Sequence, residues 1–126
     1  MPSASVSVII VSYNTRRLLE KCLVSVQAAL EATTDEIIVV DNNSSDGSAE
    51  MVERDFPCVR LIRSPVNLGY GKANNLAARS ATGEYCLFLN PDTIVSPDLP
   101  STLLDYACGH PLAGAIGCQV VMGTQG

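Results

Sequence analysis

The chain has 126 residues, of which 47% are apolar and 17% are charged, and we expect residues 1–126 to form a single domain with its own core. Eight Lys and Arg residues against thirteen Asp and Glu residues give a net charge of −5. This balance argues against a nucleic-acid-binding protein and against a polybasic membrane surface, because both need excess positive charge.

The first half of the chain alternates apolar runs with polar segments. Residues 6–11 are almost all apolar and β-branched, which predicts a strand covered on both faces. Asn14 or Thr15 is suited to cap the helix that follows, and residues 36–40 predict a second buried strand. Asp46 is suited to cap a second helix. The inner face of the first helix is predicted to contain Leu18, Leu19, Cys22, Leu23, Val26 and Leu30.

The second half continues the alternation. Residues 59–62 predict a third strand, and residues 64–71 predict a loop before a third helix. Residues 84–89 predict a fourth strand, a short helix opens at residues 96–100, and residues 115–121 predict a fifth strand. The inner face of the third helix is predicted to contain Ala73, Leu76, Ala77 and Ala81.

This order predicts an α/β fold with three layers, in which a mostly parallel sheet has helices on both faces. Ligands of such sheets bind outside the carboxyl ends of the strands. Polar residues follow three of the predicted strands, at positions 13–14, 41–46 and 90–92, and the loop at 67–75 precedes the third helix. We therefore expect one crevice to receive all four groups.

Each group has a functional and an ordinary interpretation. Asp41 can accept hydrogen bonds from a ribose or a base, or it can be a turn aspartate. Asp92 supplies the hard oxygen that Mg²⁺ or Mn²⁺ binds together with a diphosphate, or it simply completes a turn after Pro91. The loop containing Gly69 and Lys72 can bind phosphate, or it can be a glycine turn into a helix.

Other classes of site lose support. The loop lacks the GxGxxG pattern because position 74 is Asn, and no P-loop motif is present. The segment after the first strand has no glycine, which disfavours methyltransferase-like nucleotide-binding domains. His110 is the only histidine, so nucleophilic catalysis has little support. The five cysteines fit no zinc spacing and are expected to be free thiols, buried at Cys22, Cys86 and Cys118.

No apolar run approaches the ~18–20 residues that a membrane span needs. The first five residues carry no basic side chain and do not resemble a signal peptide. We therefore predict a cytoplasmic location, at the inner face of the membrane if a longer protein holds it there.

Four segments together resemble the family 2 inverting glycosyltransferases, which have the GT-A fold. They are residues 6–14 (VSVIIVSYN), 37–48 (IIVVDNNSSDGS), 67–75 (NLGYGKANN) and 83–97 (GEYCLFLNPDTIVSP), in the family's order and spacing. The second and fourth segments look most like the rhamnosyltransferase-like branch, which builds bacterial surface polysaccharides. The resemblance implies that residues 1–126 are the N-terminal, nucleotide-sugar-binding part of a glycosyltransferase domain.

The resemblance also implies roles for individual residues. Val11 and Tyr13 lie beside the nucleotide base, and Asp41 with Asn42 holds the uracil or thymine and the ribose. The remaining donor-binding residues are expected to be Asn67, Gly69, Asn74, Asn75 and Asn90.

Two of these positions depart from the commoner form of the family. Asn74 stands where many relatives have Arg, and Asn90 stands at the first Asp of the DxD motif. Asp92 is then the expected ligand of a divalent metal, Mg²⁺ or Mn²⁺.

The implied reaction transfers a sugar from a UDP- or dTDP-sugar to a saccharide or lipid-linked acceptor by direct inverting displacement. The family's catalytic base lies beyond Gly126, so no residue here takes that role. A nucleotide-sugar-binding chain without catalysis is therefore the alternative, and a purely structural domain would not need three polar strand ends. A sheet that lacks its second half has an open edge, through which we expect copies of the chain to associate.

Overall fold

The computed structural model describes residues 5–31 and 35–117. Within them, strands and helices alternate as the sequence predicts. The elements are β1 (Val6–Ser12), α1 (Arg16–Ala29), β2 (Glu36–Asp41), α2 (Ser48–Asp55), β3 (Arg60–Arg63), α3 (Tyr70–Ser80), β4 (Tyr85–Leu89) and α4 (Leu99–Gly109).

The described strands form one parallel sheet in the order β3-β2-β1-β4. In its register, Ser12 lies opposite Asp41, and Ile10 lies opposite Leu89. The ends of β1 and β2 are therefore level, and β4 ends beside them. This arrangement brings the carboxyl ends of three strands to one edge, as the sequence predicts.

Two apolar cores lie on opposite faces of the sheet because successive side chains of β1 and β2 point to opposite sides. On one face, Val8 and Ile10 pack with Leu19 and Leu23 of α1 and with Val52 of α2. On the other face, a smaller core surrounds α3 and contains Ile9, Val11, Ile38, Val40, Ala73 and Ala77. The structure thus has the three predicted layers, with β1 and β2 fully covered.

The prediction that Cys86 is buried is wrong, because β4 is exposed on one face. Its residues alternate between half-buried and exposed positions, and Cys86 and Phe88 are exposed. These two side chains lie on the α3 side of the sheet, and α3 packs mainly against β1 and β2. Cys86 is consequently not a buried thiol, whereas Cys22 is buried as predicted. The prediction that Leu18 lies on the inner face of α1 is also wrong, because Leu18 is exposed.

Two other boundaries differ from prediction. Helix α3 already begins at Tyr70 and ends at Ser80, so Ala81 lies just outside it. Of the predicted fifth strand, residues 115–117 form no strand, and residues 118–121 lie outside the described residues, as does Cys118. None of the helices in the described ranges is both long enough and apolar enough to cross a membrane.

Candidate functional site

The candidate site lies at the carboxyl edge of the sheet. Asp41 ends β2, and the turn containing Asn90 and Asp92 follows β4. Since β1 separates these two strands, they lie two strand spacings apart, about 10 Å. The edge therefore presents a carboxylate on each side of β1, at a separation that an extended ligand can span.

Asp41 is the most deeply buried carboxylate at this edge, with 4% of its surface exposed. Its Oδ2 atom accepts a hydrogen bond from the Ser44 N–H at 3.0 Å. Its Oδ1 atom has no hydrogen-bond partner in the described part of the chain. A buried polar atom without a partner costs about 1–3 kcal/mol, so this oxygen is suited to accept a hydrogen bond from a ligand.

Asn42 follows Asp41, but both polar atoms of its side chain already have partners. Its Nδ2 donates to the Gly69 carbonyl at 3.2 Å, and its Oδ1 accepts from the Leu68 N–H at 2.8 Å. Its own N–H donates to the Ser12 carbonyl at 2.9 Å. Asn42 therefore ties the ends of β1 and β2 to the loop that opens α3.

That loop uses two more of the predicted residues to shape its turn. Asn67 Oδ1 accepts a hydrogen bond from the Gly69 N–H at 2.8 Å. Gly69 has a φ of +79° at the start of α3, a conformation that L side chains rarely adopt. Asn67 and Gly69 thus set the path of the chain into α3.

The two asparagines of α3 have different surroundings. Asn74 is 8% exposed and lies between core residues of the helix, whereas Asn75 is exposed. The side chain of Asn74 forms no hydrogen bond with the described residues. It is therefore a second buried polar group available to a ligand.

The two residues predicted beside a base also differ. Val11 is 8% exposed and belongs to the core around α3. Tyr13, just after β1, exposes 51% of its surface. Of these two side chains, the tyrosine ring is thus the one accessible at the carboxyl edge of the sheet.

The turn after β4 is closed by its own backbone. The Asn90 carbonyl accepts hydrogen bonds from the Thr93 N–H at 3.2 Å and from the Thr93 hydroxyl at 2.8 Å. Asp92 is exposed between them. Burial raises the pKa of the Cys22 thiol beneath this turn, a hydrogen bond with Thr93 opposes the rise, and the negative charge of Asp92 adds to it.

The oxygen donors at this turn fit a divalent metal that binds together with a substrate. No group of three or more His, Cys, Asp or Glu side chains suited to a metal occurs within residues 5–31 and 35–117. Mg²⁺, however, is usually held by one or two carboxylates plus substrate phosphates rather than by a complete protein cage. The exposed Asp92 carboxylate is one oxygen ligand of the kind that such a partial site uses.

Sequence reasoning missed the second role of Asp46. The N-cap of α2 is Gly47 and not the predicted Asp46, whose Oδ1 accepts from the Ser48 N–H at 3.0 Å from one residue further back. The Oδ2 of Asp46 accepts from the Arg16 N–H at 3.0 Å, so Asp46 also binds the first N–H of α1, where Thr15 occupies the cap position. Burial alone would raise the pKa of Asp46, but hydrogen bonds from Ser48 and Arg16 outweigh it and lower the pKa.

Asn14 links the same two loops. It accepts a hydrogen bond from the Ser45 N–H at 2.8 Å, and its own N–H donates to the Ser44 hydroxyl at 2.9 Å. No local signal indicates these contacts, because the partners are 30 or 31 residues apart. Much of the polar run after β2 therefore holds loops together, which leaves Asp41 as its buried and partly unpartnered member.

The sequence profile of Glycosyl transferase family 2 matches residues 7–125. The chain belongs to this family. An N-acetylglucosaminyl-diphospho-decaprenol L-rhamnosyltransferase of Mycobacterium tuberculosis is 32% identical to this chain over an alignment of 121 positions, which covers 87% of the chain and 39% of that relative. A poly-β-1,6-N-acetyl-D-glucosamine synthase of Staphylococcus epidermidis is 31% identical, over 88% of the chain and 27% of its own length.

Solved structures of family relatives have the same fold. TarS 1-349 of S. aureus in complex with UDP matches with a TM-score of 0.76 and 25% identity, over 94% of this chain and 38% of its own. The mannosyltransferase PcManGT of Pyrobaculum calidifontis, in complex with GDP-Man and Mn²⁺, matches with a TM-score of 0.76 and 26% identity, over 85% of this chain and 33% of its own. These neighbours confirm the GT-A fold and the predicted family, and this chain spans about two-fifths of their length or less.

Proposed function

We propose that residues 1–126 are the nucleotide-sugar-binding part of a family 2 glycosyltransferase, one that transfers a sugar from a UDP- or dTDP-sugar to a saccharide or lipid-linked acceptor. The observation that carries the proposal is the unpartnered Oδ1 of Asp41, buried at the carboxyl edge of the sheet. A ligand that donates a hydrogen bond to this oxygen would explain why the fold buries it without a partner.

The spacing of the site supports this ligand class. Asp41 is suited to accept a hydrogen bond from a ribose hydroxyl or a base N–H, and Tyr13 offers an exposed ring for stacking on the base. Asp92 lies two strands away, where a diphosphate would extend. Structures of related chains contain UDP and, with Mn²⁺, GDP-Man, which supports a nucleoside diphosphate as the shared ligand.

In the proposed reaction, an acceptor hydroxyl oxygen forms a bond to the anomeric carbon, and the bond from that carbon to the diphosphate oxygen breaks. The acceptor proton passes to a base that we assign to no residue of this chain. Asp92 would hold Mg²⁺ or Mn²⁺. When bound, the ion would supply positive charge that stabilises the departing diphosphate, charge that a chain with a net charge of −5 does not provide by itself.

The first test is calorimetric titration of UDP, dTDP and GDP into the purified chain, with and without Mn²⁺. We expect UDP or dTDP to bind, more tightly with Mn²⁺. Asp92→Ala should abolish the gain from Mn²⁺ and leave metal-free binding unchanged. Asp105→Ala is the matched control, because it removes one exposed carboxylate on α4, away from the strand ends.

Failure of every nucleotide to bind would contradict the proposal. If Asp92→Ala binds nucleotide and Mn²⁺ still strengthens that binding as in wild type, the nucleotide site stands but Asp92 is not its metal ligand. Binding without transfer to any acceptor would favour the alternative, a nucleotide-sugar-binding chain without catalysis.

We also propose that the protein is located in the cytoplasm.

A further inference from the structure

The turn that presents Asp92 is attached to one turn of α1. The Ser25 hydroxyl accepts a hydrogen bond from the Val95 N–H at 3.0 Å and donates to the Cys22 carbonyl at 2.7 Å. Ser25 and Val95 are 70 residues apart in sequence. This single hydroxyl thus connects the backbone of α1 with the backbone just beyond the turn.

Cys22 holds the other end of the same turn. Its side chain is completely buried, and its Sγ lies 3.9 Å from the Asn90 carbonyl oxygen and 3.9 Å from the Thr93 hydroxyl. Thr93 in turn donates two hydrogen bonds to the Asn90 carbonyl. Cys22 therefore contacts the start of the turn, at Asn90, and Ser25 binds the backbone just after its end, at Val95.

Asp92 has little else to fix its position. It is exposed and forms no hydrogen bond with the described residues. By contrast, Val95 is 5% exposed and packs into the core that contains Cys22 and Val26. The location of the Asp92 carboxylate is consequently set by the contacts of its neighbours with α1.

We propose that Ser25 and Cys22 are positioning residues for Asp92, which hold the turn where its carboxylate meets a metal bound to a diphosphate. The inference rests on the proposed function, because it takes Asp92 as the metal ligand. Groups that orient a metal ligand without touching the metal commonly change metal affinity about 10- to 100-fold when they are removed. Small displacements matter because the donor, the metal and the phosphate oxygens must meet together.

Helix α1 is well placed for this role. Its first N–H, that of Arg16, donates to Asp46 in the loop after β2. Its second and third turns carry Cys22 and Ser25, which contact the loop after β4. One helix therefore contacts both the loop after β2 and the loop after β4.

The test compares Ser25→Ala with Ser80→Ala in the whole chain. Ser80 is the matched control, because its hydroxyl also donates to the carbonyl three residues earlier, at 3.0 Å, but reaches no distant element. The measured quantity is the ratio of UDP affinities, by calorimetry, with and without Mn²⁺. We expect Ser25→Ala to lower this ratio about 10-fold, with metal-free UDP affinity unchanged, and Ser80→Ala to leave the ratio unchanged.

Two further variants separate positioning from general damage. Ser25→Thr keeps the hydroxyl and should restore the ratio. Thr93→Val removes the hydroxyl that bonds the Asn90 carbonyl, outside the core, and should lower the ratio even if Ser25→Ala fails to fold. Amide hydrogen exchange at Val95 should accelerate in Ser25→Ala and not in Ser80→Ala.

The outcomes distinguish this inference from the proposed function. A wild-type chain that binds no nucleotide overturns both. A wild-type chain that binds UDP equally well with and without Mn²⁺ overturns the inference and the metal ligand, and it leaves the nucleotide site in place. If Mn²⁺ strengthens UDP binding equally in wild type, Ser25→Ala and Thr93→Val, the inference is overturned and the proposed function is not. An equal loss of UDP affinity with and without Mn²⁺ also overturns it, because that result reports damage to the whole site.

Discussion

Asp41 and Asn42 are neighbours with opposite hydrogen-bonding states. The Asn42 side chain has a partner for each polar atom, whereas Asp41 Oδ1 has none among the described residues. An unsatisfied group kept at a site commonly trades stability for function. We therefore expect substitution of Asp41 to weaken ligand binding without lowering the stability of the fold.

We predict that Asp41→Asn weakens UDP binding about 10- to 100-fold, because a hydrogen bond to a charged group contributes about 1.5–3 kcal/mol. The free energy of unfolding should stay equal or rise by up to about 1 kcal/mol, since the variant removes a buried charge and keeps an acceptor for Ser44. Calorimetry and urea unfolding measure the two quantities. Parallel losses of affinity and stability would show that Asp41 is only structural, and Asp105→Asn controls for net charge.

At the scale of elements, the turn between α3 and β4 packs directly on β1. A Cβ atom added to Gly83 would lie 2.6 Å from the backbone N of Ser7 and 2.8 Å from the carbonyl carbon of Val6. Gly83 also donates to the Ser7 hydroxyl at 2.8 Å. The central strand and this turn therefore need a residue without a side chain.

We predict that Gly83→Ala destabilises the fold by about 1–3 kcal/mol, because the backbone of β1 cannot move aside. Gly71→Ala is the control: Gly71 lies in the first turn of α3 with no atom within 4 Å of its added Cβ. It should raise stability by about 0.4–1 kcal/mol, since Ala favours helix more than Gly does. Denaturant unfolding tests both, and equal effects of the two variants would contradict the steric argument.

Glu36 joins several elements at the opposite end of the sheet. It accepts hydrogen bonds from the hydroxyl of Ser7 on β1, at 2.6 Å, and from Thr82 before β4, and it pairs with Arg60 on β3 at 3.4 Å. Burial by itself raises the pKa of Glu36. The hydrogen bonds from Ser7 and Thr82 and the charge of Arg60 outweigh burial and lower the pKa from 4.5 to about 2.

The lowered pKa predicts how stability depends on pH. The Glu36 contribution is fully present above its unfolded pKa of 4.5 and is lost as the pH falls towards 2. We expect it to be on the order of 1–2 kcal/mol, after allowing for solvent screening at a partly exposed site. In urea unfolding, the difference between wild type and Glu36→Gln should shrink from pH 6 to pH 3, and a constant difference would contradict this assignment. Glu84→Gln controls for the loss of one exposed carboxylate.

At the scale of the whole molecule, β4 has a neighbouring strand on only one side within residues 5–31 and 35–117. Phe88 is 49% exposed on its α3 side. On its α4 side lies a groove of about 320 Å³ lined by Tyr85, Leu87, Leu104 and Ala107. This part of the sheet is the least covered, and a free strand edge favours pairing with another copy.

We predict that the 126-residue chain self-associates through β4 at high concentration. Light scattering under reducing conditions, which exclude disulfides of the exposed Cys86, should show a mass that rises with concentration. Phe88→Lys should lower the association, because a charge on an edge strand opposes pairing. Val24→Lys is the control, since Val24 is similarly exposed on α1. A monomeric mass at every concentration would count against the prediction.

The patterns that predicted most of the fold are local. Unbroken apolar runs at β1 and β2 predict strands covered on both faces, and helical spacing predicts α1. The same reasoning was wrong for β4, because an apolar run does not reveal that α3 stops short of covering Cys86 and Phe88. At the site, it placed polar groups at the right strand ends but did not reveal which polar atoms already have partners.

The sequence by itself determined the α/β class, the family and the clustering of polar residues at one edge, because each follows from short segments read in order. Only the tertiary structure decided that Asn42 and Asp46 hold loops together, that one oxygen of Asp41 is left unpartnered among the described residues, and that Ser25 supports the Asp92 turn. These contacts join residues about 30 to 70 positions apart. Their hydrogen bonds depend on how separate loops meet in space, which no local pattern encodes.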